Sequence, residues 1–176
     1  MKIAIDIGHA TATGASGNGI QEHETSAAIA RLLSIYLANS HEVDIIDFPN
    51  LSNSADLAAA VKEINAGKYD LAVSLHCDHD DSPFPRGAHV CYVSERGKAI
   101  ATAIASHICP IMPGRADLIV RRPGLYFLKA TNCPAVLVEC GFISNPSDAC
   151  MLAHEPHRIA RAIATGIREA ANCSRP

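Results

Sequence analysis

The chain has 176 residues, 48% hydrophobic and 19% charged, with a formal net charge of −3 at pH 7. That length suits a single domain, residues 1 to 176, with a real core. The charge balance offers no blanket for nucleic acid, and no apolar run nears the roughly 20 residues a membrane span needs.

The opening MKIAIDIGHA breaks its apolar run with charge and glycine too early for a secretory h-region, so synthesis in the cytoplasm without a signal peptide is expected. From there, strand-length apolar runs alternate with amphipathic stretches of helical length. Strands are expected at residues 2 to 6, 42 to 47, 70 to 76, 88 to 93 and 135 to 139. Helical spacing links Ile29, Leu32, Leu33 and Tyr36; Leu57, Val61 and Ile64; Ile100, Ile104 and Ile108; and Ile159, Ile163 and Ile167. Ser54 and Ser94 read as N-caps, Gly67 as a helix stop and Pro156 as a first-turn residue. Residues 78 to 87 and 110 to 124 read as irregular loops rich in proline and charge. This order predicts an α/β three-layer sandwich: a mostly parallel twisted sheet of about five or six strands with helices on both faces.

In such a sheet, ligands bind outside the carboxyl ends of the strands. His9 follows the first strand, His76 ends the third, Glu139 ends the last, and Glu22 precedes the first long helix on the same edge. Two imidazoles and one carboxylate, with a fourth position left to water, make a catalytic zinc set, and a further carboxylate can carry the proton. Spacing leaves Glu24 and Asp6 open as alternatives to Glu22. His23 and His79 read as surface residues.

The seven cysteines are odd in number and form no CxxC pair, which argues against a disulfide framework or a cysteine zinc site. Most read as buried thiols. Strand alternation turns Cys77 and Cys140 away from the face that carries His76 and Glu139.

At these residues the chain resembles the zinc-dependent N-acetylmuramoyl-L-alanine amidases of the amidase-3 family. KIAIDIGHA is similar to the family's strand with a glycine-histidine pair, GNGIQEHETSAAIARLL to its approach to a glutamate and helix, LAVSLHCD to its second histidine strand, and PAVLVECGFISNPSD to its catalytic strand and turn. Ile7, Ala10 and Asp78 depart from the family's usual proline, glycine and asparagine.

The resemblance implies one zinc per chain on His9, Glu22 and His76, with Glu22 chosen over Glu24, and Glu139 as catalytic carboxylate. It implies peptidoglycan as substrate, cut between N-acetylmuramic acid and L-alanine, by a phage or prophage endolysin or an autolysin catalytic domain acting on the cell wall. A phage holin is the expected export partner of an endolysin. Arg121, Arg122 and Lys129 are the candidate cations for stem-peptide carboxylates. The competing readings are a zinc carboxypeptidase acting on stem peptides, a cysteine hydrolase built on Cys77, and a catalytically silent wall-binding protein.

Overall fold

The computed structural model describes residues 1–173, with Asn53 and Cys173 described by their backbone alone. The strands are β1 (Lys2–Ile7), β2 (Ser16–Gly17), β3 (Ile20–Gln21), β4 (Glu42–Ile46), β5 (Leu71–Asp78), β6 (His89–Tyr92), β7 (Ile119–Arg121) and β8 (Ala135–Phe142). The helices are α1 (Glu22–Leu37), α2 (Asn53–Gly67), α3 (Glu95–Ile108), α4 (Tyr126–Ala130), α5 (Pro146–His154) and α6 (Pro156–Cys173).

Six strands form one sheet in the order β4-β1-β5-β8-β6-β7. The first four run parallel, while β6 is antiparallel to β8 and parallel to β7. The reversal has a simple cause. A parallel return needs a crossover of a dozen or more residues, usually a helix, and the helix-free stretch 79–88 between β5 and β6 is too short for one. The chain therefore crosses the end of β8 and comes back down beside it.

Strand alternation feeds two apolar layers. Ile3, Ile5, Leu71, Val73, Leu75, Val136 and Val138 pack with Ile29, Leu33, Ile104, Ile108, Ile159, Ile163 and Ile167 of α1, α3 and α6. On the other face Ala4, Ala72, Cys91 and Leu137 meet Val61 and Ile64 of α2 and Phe127 and Leu128 of α4. The α6 stripe of Ile159, Ile163 and Ile167 is fully buried. Each such side chain contributes about 1.5–3 kcal/mol relative to an exposed one.

Several local features differ from the sequence reading. Ser94 does cap α3, accepting a hydrogen bond from the Gly97 amide at 3.0 Å. Ser54 lies inside α2, whose N-cap position is Ser52. Gly67 is the last helical residue, and Lys68 takes the left-handed conformation at φ 54°. The segment 110–124 contributes the edge strand β7. Helix α5 follows Asn145, whose side chain accepts from the Ser147 and Asp148 amides, with proline in the first turn. The loop before α1 contains the β2–β3 hairpin, whose turn residues Asn18 and Gly19 both have positive φ, as a type I′ turn requires.

Candidate metal and catalytic site

The site begins with a row across the sheet. The Gly8 amide donates to the Leu75 carbonyl at 2.9 Å. His76 is the register partner of Glu139, and Glu139 that of His89. Gly8, just past the end of β1, thus stands level with His76 on β5, Glu139 on β8 and His89 on β6, toward the carboxyl ends of β5 and β8. A register shift in the β5–β8 pairing follows this row, between His76 and Asp78. Bulges of this kind re-aim side chains beside active sites.

His9 turns out of β1 with φ 63°, a conformation non-glycine residues seldom adopt and that costs about 1–3 kcal/mol. Its ring packs edge-on against that of His76, with centroids 4.9 Å apart. Glu22 arrives from the first turn of α1. Its Oε2 accepts from the Ala15 amide at 2.9 Å and its Oε1 from the Cys77 amide at 3.0 Å. That same Oε1 lies 3.2 Å from His76 Nδ1 and 3.5 Å from His9 Nε2. Ligand atoms of His9, Glu22 and His76 all fall within 4.8 Å of one another, and among the described residues no other group of three does so. Two imidazole nitrogens and a carboxylate oxygen around one point suit a divalent transition metal.

Electrostatics tie the group together. Burial opposes ionisation of Glu22, but the hydrogen bond and charge of His76, with the two amides, hold its carboxyl below the usual range. Burial also disfavours the His76 cation, yet the Glu22 hydrogen bond and the charges of Glu139, Glu22 and Asp6 raise it to about 9. Glu139 is pushed up to about 8, chiefly by burial and further by Asp78 and Glu22, against the lowering charges of His76 and Arg122. Its Oε2 is buried without a hydrogen-bond partner. A buried carboxyl oxygen with no partner inside an otherwise apolar strand marks Glu139 as a candidate functional group.

Three site neighbours escaped the sequence reading. Beneath His76, the Ser74 hydroxyl donates to Asp6 Oδ2 at 2.5 Å and stands 3.1 Å from His76 Nε2. Beside Glu139, His89 Nδ1 lies 3.3 Å from Asp78 Oδ2, which is 3.8 Å from Arg115. His23, read as a surface residue, is buried, with Nε2 3.0 Å from Asp47 Oδ1. Period-two spacing puts Ser74 on the His76 face. The positions of His89 and Asp47 depend on strand order and loop path, which one sequence does not reveal.

The candidate cations separate. Arg122 acts on the carboxyl of Glu139 and on the Cys91 thiol of the site face. Arg121 alternates with Val120, which packs on the site-face cluster, and so shares the opposite face with Ile119. Lys129 is exposed on α4. The loops 79–88 and 113–117 enclose a depression of about 180 Å³ lined by Arg86, Arg115 and Phe142. A larger cavity of about 1030 Å³ lies at the opposite end of the strands, beside Met1, Leu71 and Pro134, and shares no residue with this group.

Cysteine chemistry is poorly served. Cys77 and Cys140 pack in the cluster on the other face, and burial pushes both thiols well above their ordinary range. A reactive cysteine needs the opposite shift. Cys91 and Cys109 are buried too, Cys133 is half-buried and Cys150 is exposed.

Residues 3–169 match the family described as N-acetylmuramoyl-L-alanine amidase. N-acetylmuramoyl-L-alanine amidase LytC of Bacillus subtilis (strain 168) is 32% identical over 154 residues, which make up 85% of this chain and 31% of LytC. The chain spans about a third of the length of the curated relatives LytC and the probable cell wall amidase LytH of Staphylococcus saprophyticus, at 31% and 35%. The catalytic domain of CwlV, an N-acetylmuramoyl-L-alanine amidase from Bacillus (Paenibacillus) polymyxa var. colistinus, superposes with a TM-score of 0.85 at 26% identity, over 97% of this chain and 98% of that one. The catalytic domain of the CD27L endolysin targeting Clostridia difficile gives a TM-score of 0.86 at 26% identity, over 96% of this chain and 97% of that one.

Proposed function

Because the chain belongs to the N-acetylmuramoyl-L-alanine amidase family, we propose that it hydrolyses the amide between N-acetylmuramic acid and L-alanine in peptidoglycan, as one catalytic domain holding one zinc on His9, Glu22 and His76. The observation that carries this reading is the meeting of those three ligand atoms within 4.8 Å, with His76 the register partner of Glu139, whose Oε2 is unpartnered.

A zinc held there would lower the pKa of water in its open position toward ~7 and polarise the scissile carbonyl. Glu139 takes a proton from the attacking water and returns it to the departing L-alanine nitrogen. The two amides on Glu22 keep its carboxylate aimed at both histidines, so no side chain has to reorganise as the reaction proceeds. Of Arg121, Arg122 and Lys129, Arg122 is the cation whose charge reaches Glu139, and it would meet a carboxylate of the stem peptide.

The likeness to CD27L supports an endolysin role, in which a phage holin would open the way to the wall. Among the described residues no helix is long and apolar enough to cross a membrane. The test is digestion of purified cell walls with and without a chelator, followed by mass analysis. Intact stem peptides freed from glycan, only with metal present, are expected; release of terminal amino acids alone would mark a carboxypeptidase and overturn the proposal.

A further inference from the structure

Below the row that carries His76 lies a second row, in which Asp6 of β1 and Ser74 of β5 are register partners. Both are buried, Ser74 completely. A carboxylate and a hydroxyl sealed under a sheet face must satisfy each other or something above them. The Ser74 hydroxyl has one proton. At 2.5 Å from Asp6 Oδ2 that proton goes to the carboxylate, which has none to give when ionised. The Ser74 oxygen then has only lone pairs to offer His76 Nε2 at 3.1 Å, so Nε2 must carry a hydrogen and donate it. The other ring nitrogen, Nδ1, is the one that faces Glu22 Oε1 at 3.2 Å.

We propose that Asp6 and Ser74 are positioning residues for the cation site: the chain Asp6–Ser74–His76 holds the Nε2 hydrogen of His76 and leaves Nδ1 as the ligand atom. Asp6 acts through Ser74, and Ser74 acts through the ring. The arrangement orients the imidazole from below while Gly8 flanks it, and it raises the basicity of the nitrogen that faces the metal. A serine between the carboxylate and the ring also keeps Asp6 out of reach of the cation, so it cannot compete with Glu22.

The inference rests on the zinc reading above, and the experiment separates the two. Zinc affinity of the full chain is measured by chelator competition for the wild type, His76→Ala, Ser74→Ala, Ser74→Thr, Asp6→Asn, Asp6→Ala and the Asp6→Ala/Ser74→Ala double variant. Ser74→Ala and Asp6→Ala should each weaken zinc binding roughly 10–100-fold, the usual effect of losing an outer partner. Asp6→Asn, which keeps an acceptor in nearly the same shape, should lose less than Asp6→Ala. The double variant should be no weaker than Ser74→Ala by more than about twofold, because both side chains act through one hydroxyl. Ser74→Thr, which keeps the hydroxyl, should recover most of the affinity. Independent packing losses would multiply instead, and that result overturns the proposal.

Nitrogen-15 NMR of the zinc-loaded wild type needs no variant. It should show a protected hydrogen on Nε2 of His76 and none on Nδ1, and the reverse pattern overturns the proposal. Wild-type affinity in Ser74→Ala, alongside loss of zinc in His76→Ala, would overturn the relay and leave the zinc reading standing. Zinc binding unchanged in His76→Ala would overturn both.

Discussion

The backbone of Gly8 lies against the imidazole of His76, and a Cβ at position 8 would fall 2.3 Å from the ring's Cε1. No side chain fits there without moving the ring. Gly8→Ala should therefore displace His76 from Glu22 Oε1 and cost zinc affinity, with overpacking worth about 1–3 kcal/mol at the site. Metal content after dialysis reads this directly. Zinc retained at the wild-type ratio, with full activity, would show that the ring can shift and that the contact has no functional weight.

Glu22 and Glu24 are two residues apart and differ in everything that matters. Glu22 is buried, with both its oxygens on backbone amides, and Glu24 is exposed on the outer side of α1. Glu22→Gln should abolish zinc retention and wall digestion. Glu24→Gln, an ordinary surface change, should stay within about ±0.5 kcal/mol in stability and about twofold in rate. Equal losses in the two variants would overturn the choice of Glu22.

Much of this was legible because the chemistry sits where the apolar pattern ends. His76 and Glu139 close apolar runs of β5 and β8, so their edge can be read without coordinates. Their direct pairing cannot, because it depends on β8 being the neighbour of β5. The antiparallel β6 was implicit in the missing helix between 76 and 89, yet its consequence, His89 beside Glu139, needed the strand order. Short elements escaped for another reason. β7 and α4 have three and five residues, too few for any period to emerge. Asn18-Gly19 and Asn145-Pro146 are turn and cap signals that do announce the hairpin and α5.

Removing the metal should loosen the fold. A ligand that binds only the folded state adds about 2.7 kcal/mol at a hundredfold excess over its Kd. For a chain of this size that corresponds to roughly 5–11 °C in Tm. Calorimetry with zinc and after exhaustive chelation measures the difference. The rise should vanish in His76→Ala. A zinc-dependent rise that persists in that variant would place the metal elsewhere.

The carboxyl of Glu139 is raised from 4.5 to about 8, chiefly by burial. The fold favours its protonated form, so between those two values the folded protein binds more protons than the unfolded one. Stability of the zinc-free protein must then fall as pH rises through that window. His76, raised from 6.5 to about 9, has the same sign: its contribution is complete below 6.5 and is lost as pH rises through about 9. Glu139→Gln deletes the carboxylate part of this slope. Without zinc, the variant should match the wild type near pH 4 and unfold at a higher temperature than the wild type above pH 9, where the wild type must bury a charge beside a neutral imidazole. With zinc the balance reverses, since a nearby cation favours the ionised carboxylate that general-base catalysis requires. The same substitution should then lower the rate of wall digestion ~10²- to 10⁴-fold while leaving zinc content unchanged. Parallel pH–stability curves for the two proteins would refute the burial argument. Near wild-type digestion by Glu139→Gln would refute the proton-transfer role, and loss of zinc in that variant would make Glu139 a ligand instead.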